Sequence, residues 1–71
     1  MKIRLNGELF EIGAPVTISA LLTELKIDPR LVAVEHNVTV VKRALYATTE
    51  VQEGDEIEVV RFVGGGSPAQ P

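Results

Sequence analysis

The sequence predicts a single two-layer α+β domain, a mixed four- to five-stranded sheet covered on one face by one helix. Three observations carry this. The chain opens with period-two alternation that reverses at Asn6-Gly7; one apolar stripe at helical spacing follows; and the second half is rich in short β-branched runs broken by turn residues. A single stripe covers one face of a sheet, which makes a two-layer domain the compact solution.

From Met1 to Leu5, Ile3 and Leu5 share one face while Lys2 and Arg4 share the other, the pattern of a half-buried strand. Asn6-Gly7 supplies two residues tolerant of positive φ, as a type I′ turn requires, so a second strand from Glu8 to about Ile12 folds back on the first. Gly13-Ala14-Pro15 breaks that strand. Ile18, Leu21, Leu22 and Leu25 then recur at i, i+3, i+4 and i+7, and Thr17 ahead of them is the expected N-cap. Ala20 at the third helical position leaves no reciprocal capping box. The helix is expected to run about nine residues and to end near Lys26 under the influence of Pro29.

Leu31 to Glu35 reads as a third strand, His36-Asn37 as a turn, and Val38 to Val41 as a fourth strand. Ala44-Leu45-Tyr46 suits one helical turn, and Thr48 to Gln52 a connecting extended piece with Val51 facing inward. Gly54-Asp55 is a tight turn before the last strand, Ile57 to Phe62. The expected core is Ile3, Leu5, Phe10, Ile12, Ile18, Leu21, Leu22, Leu25, Val32, Val34, Val40, Val51, Ile57 and Val59. The compositional boundary falls after Val63, giving a domain over residues 1–63 and a flexible glycine-rich tail over 64–71.

Composition bounds the chemistry. At 71 residues the chain is expected to bury about 60% of its unfolded surface, with a net stability of roughly 4 to 10 kcal/mol. It contains no cysteine, which removes disulfides, thiolate metal sites and a thiol nucleophile. Seven Lys and Arg against ten Asp and Glu give a charge of −3, which argues against a nucleic-acid partner. No apolar run approaches the ~18 residues of a membrane span, so no membrane partner and a cytoplasmic location are the expectations. Glu50, Glu53, Asp55, Glu56 and Glu58 crowd the approach to the last strand and read as a solvated face.

The segment that stands apart is Val59-Val60-Arg61-Phe62-Val63-Gly64-Gly65-Gly66, a strand running out into three glycines. Without side chains, such a segment is thin and adaptable. No helix and no Lys-Ser or Lys-Thr pair follows it, which excludes a phosphate-binding loop. His36, the one histidine, cannot assemble a metal site with Glu35 alone and reads as a surface or turn-stabilising residue. Phe62 and Val63 sit at the root of the arm, where they serve either partner docking or the edge of the core.

Taken together, Thr17-Ile18-Ser19-Ala20-Leu21-Leu22, Val34-Glu35-His36-Asn37, Arg43, Gly54-Asp55-Glu56-Ile57-Glu58-Val59-Val60 and Phe62-Val63-Gly64-Gly65-Gly66 resemble the ubiquitin-like β-grasp proteins. Within these the chain is most similar to the bacterial sulfur carriers of the ThiS/MoaD family, on the ThiS side. The resemblance implies a carrier and not an enzyme. Its C-terminal glycine carboxylate is adenylated by a ubiquitin-activating-like adenylyltransferase using ATP. It is then converted to a thiocarboxylate with sulfur from a donor such as a cysteine desulfurase, and delivers that sulfur to thiazole synthase for thiamine. No bound cofactor is implied.

On this resemblance Gly66 is the sulfur-carrying terminus, with Gly64 and Gly65 as the flexible arm and Phe62 and Val63 as docking residues. The usual pattern stops at the last glycine, whereas Ser67-Pro68-Ala69-Gln70-Pro71 continues here and leaves the Gly66 carbonyl in an amide. A tail-processing peptidase acting after Gly66, or after Gly65, is one expectation; five residues foreign to the domain are the other. A carrier serving molybdopterin or cysteine synthesis, and a non-catalytic ubiquitin-like binding module or modifier, remain as alternatives.

Overall fold

The computed structural model describes residues 1–63 and residues 67–68; residues 64–66 and 69–71 lie outside the described residues. Strands β1 (Lys2–Leu5) and β2 (Glu8–Glu11) form the expected hairpin, paired antiparallel from Lys2 with Glu11 to Leu5 with Glu8. Asn6 at φ 52° and Gly7 at φ 84° make its turn. A short strand β3 (Val16–Thr17) leads into helix α1 (Ile18–Glu24), and Thr17 Oγ1 accepts the Ala20 N–H at 3.1 Å as N-cap.

The helix is seven residues long, shorter than its apolar stripe implies. Its end is made not by Pro29 but by Lys26 in the left-handed region at φ 60°. There the Lys26 N–H donates to the Thr23 carbonyl at 3.0 Å and the Ile27 N–H to the Leu22 carbonyl at 2.9 Å, a Schellman closure. Ile27 thereby packs against the core. Asp28 then caps a 3-10 turn over Pro29–Leu31, its carboxylate accepting the Arg30 N–H at 2.9 Å and pairing with the Arg30 guanidinium at 2.8 Å, which lowers its pKa to about 2.

Strands β4 (Val32–His36) and β5 (Thr39–Val41) follow, then a 3-10 turn over Arg43–Leu45, β6 (Glu50–Val51), the long β7 (Glu56–Val63) and β8 (Ser67–Pro68). The main sheet has the order β2-β1-β7-β4-β5, with β8 pairing antiparallel to the end of β7. β7 runs parallel to β1 and antiparallel to β4, so the sheet is mixed, as expected. The ubiquitin-like β-grasp is this arrangement of a mixed sheet and one helix. β3 and β6 pair separately as a second, two-stranded sheet, an interaction between two-residue segments too short to be read from periodicity.

The core is Ile3, Ile12, Ile18, Leu21, Leu22, Val32, Val34, Val41, Tyr46, Val51 and Ile57, with Leu5, Phe10, Leu25, Ile27 and Val59 partly buried against it. Three residues correct the expected list. Val40 is 65% exposed because it pairs with Glu35 on the open face, whereas Val41 pairs with the buried Val34 and is 9% exposed. The turn occupies Asn37-Val38 and not His36-Asn37. Moving a two-residue turn by one changes the partner of Val40 from Ala33 to Glu35, both on the open side, so it is alternation against the buried Val34 that sends Val40 outward and Val41 inward. Tyr46 is buried, and burial raises its phenol pKa. Among the described residues no helix is long and apolar enough to cross a membrane.

Candidate functional site at the root of the glycine arm

β7 is built from Glu56-Ile57-Glu58-Val59-Val60-Arg61-Phe62-Val63, whose β-branched and aromatic residues favour extended backbone. It lies between β1 and β4, paired with Arg4 and Leu5 on one flank and with Val32 through His36 on the other. The three glycines leave from the best-supported strand of the sheet, though Gly64, Gly65 and Gly66 themselves lie outside the described residues.

The start of β7 is locked by one carboxylate. Asp55 accepts from His36 Nε2–H at 2.7 Å, from the Gln52 N–H at 2.9 Å and from Asn37 Nδ2–H at 3.2 Å. Burial pushes this carboxyl up, but the hydrogen bonds from His36, Gln52 and Asn37 outweigh it and leave the pKa below its ordinary value. Asn37 also accepts the Glu56 N–H through Oδ1 at 2.8 Å. His36 therefore has the turn-stabilising role expected of it, and among the described residues no group of three His, Cys, Asp or Glu side chains is placed to hold a metal ion.

Alternation along β7 places Glu56, Glu58, Val60 and Phe62 on the side of the sheet opposite the buried Ile57. Across the strands Glu58 faces Glu35, Val60 faces Ala33, and Glu35 faces Val40. Phe62 is half-buried, Val60 is 44% exposed, and Val38 at the hairpin tip is 85% exposed. The open face thus joins an apolar strip near the arm to a carboxylate group at its other end. Glu35, Val38, Glu56 and Glu58 line a shallow depression of about 160 Å³ there, below the ~300 Å³ at which small-molecule sites begin. Glu35 directly opposite Glu58 is a like-charge pair that costs stability.

Reading the sequence alone misses three features of this region. Val38 sits at φ 63°, a left-handed conformation that is an outlier for a β-branched residue. Asn37 and Asn6 each combine a positive-φ turn with a side-chain bond to β7. Two asparagines opening two hairpin turns were the available signal. Phe62 and Val63 do stand at the arm's root, Phe62 on the open face and Val63 as the last residue of β7.

With this geometry in place, comparison is decisive: residues 3–66 match the model of the ThiS family. The chain belongs to the ThiS family. It is 38% identical over 50 residues to the sulfur carrier protein ThiS of Bacillus subtilis, covering 70% of this chain and 76% of that one. The crystal structure of the thiamine biosynthesis protein ThiS from Geobacter metallireducens superposes with a TM-score of 0.84 at 34% identity, over 92% of this chain and 99% of that one. The chain is also 48% identical over 67 residues to a thiazole synthase of Paramagnetospirillum magneticum, covering 94% of this chain and 21% of that protein. It therefore spans about a fifth of the length of the thiazole synthases it matches. The ThiS-family membership and the β-grasp fold both agree with what the sequence motifs implied.

Proposed function

We propose that this ThiS-family chain is a sulfur carrier for thiazole formation in thiamine biosynthesis, acting through the carboxylate of Gly66 as a carrier and not as a catalyst. The single observation that supports this most is the family match through residue 66, which takes in the whole of β7 and all three glycines. A carboxylate oxygen of Gly66 attacks the α-phosphate of ATP on an adenylyltransferase, expelling pyrophosphate. The terminal sulfur of a persulfide on a donor such as a cysteine desulfurase then attacks the acyl carbonyl and expels AMP, and a thiol reductant cleaves the resulting acyl disulfide, leaving a thiocarboxylate and a disulfide.

Glycine suits both steps, since a terminal acyl group without a side chain leaves the carbonyl open to phosphate and sulfur in a narrow channel. Three residues beyond Val63 reach about 10 Å at ~3.3 Å each, enough to enter a partner's site while the domain stays outside. Phe62 and Val63 at the arm's base serve docking. Ser67 follows Gly66 in the chain, so the reading requires hydrolysis of the Gly66–Ser67 bond, or of Gly65–Gly66 if Gly65 is the working end. Thiazole synthase as the recipient draws support from the relatives that bear that name.

The test uses the chain ending at Gly66. Incubated with ATP, a ThiS-adenylating enzyme, a sulfur donor and a thiol reductant, it is expected to show the mass change of oxygen-for-sulfur exchange at its C-terminus. Replacing Gly66 by valine is expected to abolish that change. No exchange with any adenylating partner would turn the reading towards a ubiquitin-like binding module.

A further inference from the structure

The ladder between β1 and β7 is short. It pairs Arg4 with Glu56 and Leu5 with Ile57, with the Arg4 N–H donating to the Asp55 carbonyl at 2.9 Å and the Asn6 N–H to the Ile57 carbonyl at 2.8 Å. A parallel strand that continued would next offer the backbone carbonyl of residue 6 to the N–H of residue 59. The chain cannot do this, because Asn6 at φ 52° and Gly7 at φ 84° turn it back into β2. The Asn6 side chain takes that place instead. Its Oδ1 accepts the Val59 N–H at 2.8 Å and its Nδ2–H donates to the Val59 carbonyl at 3.4 Å. A primary amide carries the same donor and acceptor as a peptide group, so the side chain forms one more rung of the ladder.

Few residues can do both jobs. Asparagine tolerates the left-handed backbone of the turn and carries the amide one carbon from Cα's branch. Aspartate keeps the acceptor but loses the donor, glycine keeps the turn but loses the rung, and glutamine sets the amide one methylene too far. The rung's position matters because the four steps from Val59 to Val63 span about 13 Å. A rotation of roughly 10° at Val59 would therefore displace the end of β7 by about 2 Å, while misplacing reacting groups by about 1 Å can cost ~100-fold in rate.

The structure assigns Asn6 as a positioning residue, whose amide sets the direction in which β7 leaves the β1 flank of the sheet and so the line along which the glycine arm is offered. The consequence for activation rests on the carrier reading above. On the other flank β7 is held by the pairs Val60 with Ala33 and Arg61 with Val32, so loss of the Asn6 rung tilts the strand about β4 without releasing it.

Asn6→Gly is the informative variant, since it keeps a positive-φ turn and removes only the side-chain rung. It is tested in the chain ending at Gly66, which retains every buried core residue, all of them between Ile3 and Ile57. Two measurements are made on it and on Asn6→Asp. Residual dipolar couplings are expected to report reoriented N–H vectors from residues 60 to 63 with α1 unchanged. ATP-dependent thiocarboxylation is expected to lose roughly ten-fold or more in kcat with KM within about two-fold, because the open face is intact. Asn6→Asp, with the acceptor retained, is expected to fall between. Wild-type vectors over residues 60–63 in Asn6→Gly, or a kcat within about two-fold of wild type, would overturn the assignment. If no adenylating enzyme activates even the wild-type chain, the carrier reading fails, and the couplings alone decide whether Asn6 directs β7.

Discussion

His36 Nε2–H donates to Asp55 Oδ2 across 2.7 Å, tying the last residue of β4 to the turn that launches β7. Since the Asp55 carboxyl has a depressed pKa in the fold, its contribution is fully present above the ordinary carboxylate range, near ~4, and is lost as pH falls through the lower folded-state value. Asp55→Asn is expected to be less stable than wild type at neutral pH, and the gap between the two is expected to close as the pH is taken well below that range. Urea midpoints across the acid range measure this. Asp55→Ala, which strands three donors, is expected to lose about 2 to 3 kcal/mol.

The Val38 backbone stores strain without compensating burial. At φ 63° and 85% exposed, its side chain costs conformational energy and covers almost nothing. Val38→Gly is expected to stabilise the domain by about 0.5 to 1 kcal/mol, a gain in melting temperature of roughly 2 to 8 °C. Differential scanning calorimetry reads it directly.

Val40 and Val41 test which side of the sheet each residue of β5 faces. Val41→Ala removes buried methyls and is expected to cost about 1 to 3 kcal/mol, whereas Val40→Ala is expected to stay within ~0.5 kcal/mol. Equal losses in chemical denaturation would mean that Val40 and Val41 do not face opposite sides of the sheet.

Phe62 lies on the open face and is half-buried. Its replacement by alanine is expected to cost less than about 2 kcal/mol, below the 3 to 5 of a fully buried aromatic. If it docks the adenylating partner, as proposed, KM for activation rises while kcat holds. That is the reverse of the pattern expected for Asn6→Gly, and steady-state kinetics on the two variants separates docking from aim.

Local signals were legible and non-local ones were not. The stripe of Ile18, Leu21 and Leu22, the Thr17 cap and the Asn6-Gly7 turn are each encoded within a few residues, so the helix, its start and the first hairpin could be read directly. The second hairpin was misplaced by one residue because Val38 is the wrong residue type for the conformation it adopts, and no propensity rule anticipates a strained choice. The β3–β6 pair joins Val16-Thr17 to Glu50-Val51, segments too short to carry a period. At the site, the arm announced itself by composition, whereas the rung from Asn6 to Val59 depends on two residues 53 positions apart meeting in space.

β7 is the last of the five main strands along the chain, yet it is threaded between β1 and β4. Until Glu56–Val63 is in place the hairpin of β1 and β2 and the hairpin of β4 and β5 share no ladder, so neither half can finish its core. A chain stalled or cut ahead of Glu56 would keep only the short β3–β6 pair as a ladder between its halves, prey to proteolysis. Completion of the fold and display of the arm's base are therefore one event.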